Sequence, residues 1–370
     1  MSKYWNKKIC EAEPYVAGEQ PKAGQKVIKL NTNENPFPPS PMTRVVMRTF
    51  DYSDLRLYPD TNAAEFIEAA ASIEGVKPSQ IFAGNGSDEV LALCFQTFFE
   101  KESNTVLPVL TPQFSYSFYP VFAKFYDVRS MQIPLREDLR IAPEDYVGIP
   151  NAGIVFANPN APTSCAMSLE QIKIILDGNP DSVVLVDEAY ADFEDNYETA
   201  VSLLPSYPNL IVVKTLSKAY SLAGLRVGYA VGSEELIEGL KRARDSFNSY
   251  PTDRLAQKIA AVAVRDVKYH DKCINEIRQT RKYTADALRD LGFSVPESSA
   301  NFIFAKVPNG IEAQTLYQNL RARGILVRYF NTEGINDRLR ITIGTRDEME
   351  ALTAALKEEI GNVQNSADNT

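Results

Sequence analysis

From about residue 65 the chain alternates short apolar runs with segments of helical period. The runs fall at residues 80–83, 105–110, 153–157, 182–186 and 209–213, each four to six residues long and rich in Ile, Val, Leu and Phe. Unbroken apolar runs of this length predict strands buried on both faces, the signature of a mainly parallel sheet covered by helices. Between the first two, Leu91, Cys94, Phe95, Phe98 and Phe99 recur at helical spacing and predict an amphipathic helix. After about residue 245 the pattern changes. Residues 254–291 read as a long helical stretch, 301–307 as a strand, and 311–323 as a helix closed by Gly324. Residues 325–330 and 338–343 read as further strands, and Thr345 with Glu348 forms a capping box opening a last helix. The order of elements predicts an α/β chain with a large unit over 41–245 and a smaller α+β unit over 246–360. An N-terminal arm over 1–40 and a polar, irregular tail over 361–370 flank them.

The arm breaks the pattern. Residues 30–39, Leu-Asn-Thr-Asn-Glu-Asn-Pro-Phe-Pro-Pro, cannot be regular structure, because proline removes a donor and fixes the backbone. Such a stretch is either a surface arm or a segment laid across a site. Arg56 to Asp60, with Pro59 inside it, is expected to be extended.

Composition narrows the chemistry. The 370 residues carry 39 Lys and Arg against 48 Asp and Glu, a net charge of −9, and no basic cluster that could track a nucleic-acid backbone. Four cysteines without CxxC spacing and a single histidine, His270, argue against a disulfide framework, a zinc site or a Ser-His triad. The chain opens without a signal peptide and has no apolar run near the roughly 20 residues of a membrane span, so a cytoplasmic protein is expected.

Each strand-like run ends in a polar loop, and in a parallel sheet those ends share one edge, where ligands bind. Lys218 follows the run at 209–213 and is a candidate nucleophile toward a carbonyl; Lys214 and Arg226 nearby suit a phosphate. Gly86-Ser87-Asp88 opens a helix and offers backbone N–H groups to an anion. Phe114 offers a ring to stack on, and Asp187, with Tyr190 three residues later, follows another run. A lysine, a phosphate cradle, a carboxylate, an aromatic and a phenol are together what pyridoxal phosphate requires. Its aldehyde takes the amine, its phosphate the cradle, and its pyridine nitrogen the carboxylate that keeps the ring an electron sink.

The motifs Ser217-Lys218-Ala219, Ala223 to Tyr229 and Asp187-Glu188-Ala189-Tyr190 resemble those of the aspartate-aminotransferase-like pyridoxal-phosphate enzymes. Leu30 to Pro36, Gly84 to Glu89, Ser299 to Phe302 and Leu339 to Gly344 are similar to the histidinol-phosphate aminotransferase branch, over nearly the whole chain. The resemblance implies a three-layer large domain with a small α+β domain, and a homodimeric transaminase acting on histidinol phosphate and 2-oxoglutarate. Other aminotransferases, for aromatic or acidic amino acids, and a phosphothreonine-type decarboxylase share the scaffold. It further implies that Lys218 binds the cofactor and moves a proton, that Asp187 pairs with the ring nitrogen and that Tyr190 bonds the phenolic oxygen. Ser217, Arg226, Ser87 and Asp88 would hold the phosphate, Phe114 would stack on the ring, and Tyr58 would reach the partner's phosphate. Arg340 and Arg328 would bind the anionic end of the substrate in a pocket lined by Tyr15 and Asn33. One departure stands out. Where the family reads Asn-Pro-Thr-Gly, this chain reads Ala161-Pro162-Thr163-Ser164. Ala161 cannot donate to the phenolic oxygen, which leaves Asn160, Asn158 or Tyr190 alone to do so.

Overall fold

A computed structural model describes residues 3–15, 18–22, 24–99 and 107–367. Its centre is a seven-stranded sheet in the order Ile81–Gly84, Gly228–Gly232, Leu210–Thr215, Val183–Asp187, Gly153–Ala157, Val109–Pro112, Ser130–Ile133. Gly228–Gly232 runs antiparallel to both of its neighbours, and the other six strands share one direction. The apolar runs divide by parity, as a pleat requires. Ile154, Phe156, Val184, Val186, Leu210 and Val212 enter one hydrophobic cluster. Val109, Val155, Leu185, Ile211 and Val213 enter another, on the opposite face. Helices cover both sides, Ala64–Glu74 and Arg254–Arg265 on the first, Gly86–Phe98 and Phe118–Phe125 on the second.

A second sheet follows in the order Arg328–Tyr329, Arg338–Thr342, Phe302–Lys306, fully antiparallel. Its core holds Phe302, Ile303, Leu339, Ile341 and Leu352. Thr345 and Glu348 form the expected capping box, with Thr345 N–H on Glu348 Oε2 at 2.8 Å, and Gly324 takes φ +78° just past the helix Ala313–Ala322.

Several expectations need correction. The run at 105–110 starts outside the described residues, and its strand spans Val109–Pro112. The stretch at 254–291 is two helices, Arg254–Arg265 and Val267–Asp290, broken at Asp266, whose carboxylate caps the second. The run at 325–330 is two short strands in different sheets: Ile325–Leu326 pairs with Ile28–Lys29, and Arg328–Tyr329 with the second sheet. The last helix, Arg346–Ala367, continues through residues 361–367, where an irregular tail was expected. Of the two readings open for residues 30–39, the start of that stretch follows the second, a segment laid across the site and not a surface arm. Leu30 N–H bonds Leu326, Leu30 carbonyl accepts from Thr342 N–H, and Leu30, Asn31 and Asn33 are buried between the two sheets.

Candidate active site

The strand ends of the large sheet and the N-terminal segment enclose a cleft of about 260 Å³. Lys218, Asp187, Tyr190, Ser217, Arg226, Ser87, Asp88, Arg340, Arg328, Tyr15 and Asn33 all line it, although they span more than 300 positions of sequence.

At one end stands the helix Gly86–Phe98, with no side-chain cap on its first N–H groups. Those donors and the helix dipole suit an anion. Gly86 takes φ +82°, and a Cβ there would lie 2.5 Å from Arg226 Nη2, so a side chain would strain the turn and push the guanidinium aside. Gly228 serves the same approach, since a Cβ on it would lie 2.3 Å from Ser87 N. Arg226 pairs with Asp88 at 3.0 Å and donates to Ser217 Oγ at 3.5 Å, while Tyr116 donates to the other Asp88 oxygen at 2.7 Å.

Asp187 ends its strand, 4% exposed. It accepts from Tyr119 Oη at 2.9 Å and from Ala189 N–H at 3.1 Å. Burial pushes its carboxyl up to about 6, against those two bonds, and the charges of Asp88 and Glu188 add to the rise. Among the described residues it forms no ion pair. Lys218 Nζ donates to the Thr32 carbonyl at 3.2 Å and sits over the Tyr190 ring, 5.6 Å from its centre.

Opposite lies Arg340, register partner of Arg328 across two antiparallel strands. Its Nη2 donates to the Asn31 carbonyl at 3.0 Å, and its buried Nε has no partner. Burial holds the guanidinium below its ordinary value; Tyr190 opposes the shift and Arg328 adds to it. A half-buried guanidinium with an unmet donor suits an anion. Tyr15 stacks on Phe118, with centroids 4.3 Å apart.

Three expectations fail here, and pleat or bonding explains each. Lys214 does not face the cleft. It lies one residue out of phase with Val213, on the other side of the sheet, where it binds Glu74 at 2.9 Å, Glu188 at 3.4 Å and Tyr197 Oη at 2.7 Å. Phe114 lines a neighbouring cavity and packs against Leu139, Phe304 and Ile335, and Tyr116 takes the cleft wall instead. Asn160 and Asn158 are both committed elsewhere. Asn160 accepts from Ser115 Oγ at 2.8 Å and donates to the Phe114 carbonyl at 2.8 Å, and Asn158 makes two bonds to the Met167 backbone. Ala161 lines the cleft without a donor. Tyr58 lies outside the cleft, 76% exposed and stacked on Tyr250 at 4.6 Å. Tyr116, Tyr119, Thr342 and Asn301 are contributors not singled out in advance, though Thr342 and Asn301 stand inside motifs that were.

Residues 25–356 match the family model for aminotransferase class I and II. A histidinol-phosphate aminotransferase of Chromohalobacter salexigens is 49% identical over 357 residues, covering 96% of this chain and 99% of that one. The chain belongs to the histidinol-phosphate aminotransferase family of the class I and II aminotransferases. A Clostridium botulinum enzyme of the same name is 46% identical over 97% of the chain and 99% of its own length. In fold, this aminotransferase matches the crystal structure of histidinol-phosphate aminotransferase from Sinorhizobium meliloti in complex with pyridoxal-5′-phosphate. That match has a TM-score of 0.87 at 23% identity, covering 98% and 99% of the two chains. The aspartate-aminotransferase-like α/β fold expected from the motifs is therefore the fold observed. No helix among the described residues is long and apolar enough to cross a membrane.

Proposed function

We propose that this aminotransferase moves the amine of histidinol phosphate to 2-oxoglutarate with pyridoxal 5′-phosphate bound in the cleft. The observation that carries the reading is the pairing of opposite needs across one cavity. A buried carboxylate in no ion pair and a half-buried guanidinium whose Nε has no partner line the same cavity as a primary amine. The cofactor fits this donor set: its ring nitrogen is the cation Asp187 lacks, and its phosphate suits the uncapped helix turn at Ser87 and Asp88, with Ser217 and Arg226 beside it. Bound there, it supplies an aldehyde to carry the amine and a ring that stabilises charge when the substrate's α-proton leaves.

The side chains then have distinct tasks. Lys218 Nζ binds the cofactor and afterwards accepts and returns the α-proton, with the Thr32 carbonyl holding it over Tyr190. Tyr190 donates to the phenolic oxygen. Arg340, backed by Arg328, takes the anionic end of either substrate, with Tyr15 and Asn33 closing the pocket. Tyr116, rather than Phe114, forms the aromatic wall. The relatives' shared name supports histidinol phosphate over aromatic or acidic amino acids.

The exposed Tyr58 lies among exposed Tyr52, Leu55 and Leu57, which supports a homodimer in which Tyr58 reaches the neighbouring subunit's phosphate. The unpaired cysteines and the acidic balance support a cytoplasmic enzyme.

The test is a panel of amino donors with 2-oxoglutarate. Histidinol phosphate should exceed phenylalanine, tyrosine and aspartate in kcat/KM by about a hundredfold, the worth of one or two charge-assisted bonds. Equal rates across the panel, or carbon dioxide release in place of glutamate, would remove this reading.

A further inference from the structure

A chain of three hydrogen bonds lies behind the cleft. Asn33 N–H donates to Thr342 Oγ1 at 3.0 Å. The threonine oxygen accepts there, and its hydroxyl donates to Asn33 Oδ1, also at 3.0 Å. With Oδ1 engaged as an acceptor, the Asn33 amide is pinned. Its Nδ2 therefore faces Tyr190 Oη at 3.0 Å and donates to it. A phenol has one proton. Since Tyr190 accepts from Asn33, that proton points away from Asn33, and Tyr190 lines the cleft. The three residues are 1%, 2% and 8% exposed for Asn33, Thr342 and Tyr190, so water does not compete for these bonds. Asn33 holds φ +57°, a conformation asparagine tolerates better than most residues, and its carbonyl accepts from Asn301 Nδ2 at 3.0 Å.

We propose that Thr342 and Asn33 are positioning residues that lock Tyr190 as a donor toward the cofactor's phenolic oxygen. Through them Tyr190 provides alone the donation that Ala161 cannot share and that Asn158 and Asn160 do not replace. The inference rests on the cofactor reading above, and its test separates the two.

The visible absorbance of the cofactor-loaded enzyme is titrated against pH. A bond donated to the phenolic oxygen draws negative charge away from the adjacent nitrogen that joins Lys218 to the cofactor, so that nitrogen loses its proton at lower pH. Tyr190→Phe should raise the midpoint by on the order of one pH unit. Thr342→Val should raise it in the same direction by a smaller amount, and Thr342→Ser should restore the wild-type value. Thr342→Val added to Tyr190→Phe should move nothing further. If Thr342→Val gives no folded protein, Thr342→Ala removes the same hydroxyl with the same expectation. A wild-type midpoint in Thr342→Val or Thr342→Ala, beside a shifted Tyr190→Phe, would overturn the relay, as would an equal shift when Tyr190 is already Phe. A wild-type enzyme with no pH-dependent visible band would instead overturn the cofactor reading, and the relay with it.

Discussion

The two walls of the cleft are built differently. The cofactor wall comes from strand ends of a single sheet, and its polar groups mostly satisfy one another: Tyr119 with Asp187, Thr215 with Ser217, Arg226 and Tyr116 with Asp88. The substrate wall joins the N-terminal segment to the small antiparallel sheet, through contacts 309 positions apart. It keeps buried polar atoms without partners: Arg340 Nε, Asn31 Oδ1 and Asn301 Oδ1. A satisfied wall is organised before any ligand arrives and orients charge without rearranging. An unsatisfied wall is completed by what it binds, which makes it the place where one anion is chosen over another. Changes on the first wall should therefore damage cofactor retention and turnover, and changes to the arginines of the second should raise KM.

The largest test of this division is Lys218→Ala. It removes the amine that moves the proton, and turnover should fall by about four orders of magnitude, with the visible band of the bound cofactor lost. A variant that kept the band would place the covalent attachment elsewhere.

Asp187→Asn sharpens the comparison from the protein's side. Burial raises the Asp187 carboxyl from an ordinary 3.8 to about 6. The folded chain thus keeps this proton to a higher pH than the unfolded chain. Between about pH 4 and 6 the cofactor-free protein should lose stability as pH rises, by about 3 kcal/mol in all, and the cost should persist above pH 6. Asn carries no such charge. Cofactor-free Asp187→Asn should be more stable than wild type at pH 8, equal to it near pH 4, and poor at retaining the cofactor. Urea unfolding at the two pH values measures this, and an identical pH dependence in both proteins would contradict the assignment of the buried carboxylate.

Much of the cofactor wall was legible in the sequence because each of its members stands beside its own apolar run. Asp187, Ser217 and Lys218 could be placed at a strand end from local pattern alone. What local pattern did not settle was parity and long-range bonding. Lys214 is four residues from Lys218, yet the pleat turns it to the far face, where burial would drive its ammonium down but Tyr197, Glu188 and Glu74 hold it well above the ordinary lysine value. Phe114 and Tyr116 are two aromatics in one loop, and only the packing of Phe114 on Phe304 and Ile335 decides which meets the cleft. The strand Ser130–Ile133 escaped notice because it is an edge with three exposed residues and no apolar run. On the substrate wall, Arg328 and Arg340 were identified through motif resemblance. Their pairing depends on the register of two strands that no periodicity reveals.

Arg340→Gln tests the second wall. It keeps a donor and much of the length but removes the charge, at a cost of about 1.5–3 kcal/mol for a bond to an anion. KM for histidinol phosphate and for 2-oxoglutarate should both rise between about tenfold and a hundredfold, while the resting absorbance stays unchanged. A lost chromophore with normal KM would place Arg340 on the wrong wall.

The smallest effect concerns a residue beside the cleft that belongs to neither wall. Ser164 stands where the family has glycine, and its backbone takes φ +66°, a left-handed conformation that glycine adopts without strain. The residue is fully buried, its N–H donates to the Asn160 carbonyl at 2.7 Å, and its carbonyl accepts from Ser299 at 2.9 Å, so the conformation is held from both sides. Its Oγ is buried without a partner. Ser164→Gly removes the strain, about 1 kcal/mol, and the desolvated hydroxyl, about 1 kcal/mol more, against the added freedom of glycine in the unfolded chain, also about 1 kcal/mol. The net gain should be about 1 kcal/mol, read as a higher urea midpoint with an unchanged slope. KM for both substrates and the midpoint of the visible band should not move, because Ser164 does not line the cleft and Ala161 is untouched. A destabilised variant, or one with altered KM, would mean that the serine hydroxyl supports the site, and the boundary between scaffold and cofactor wall would have to be redrawn through this loop.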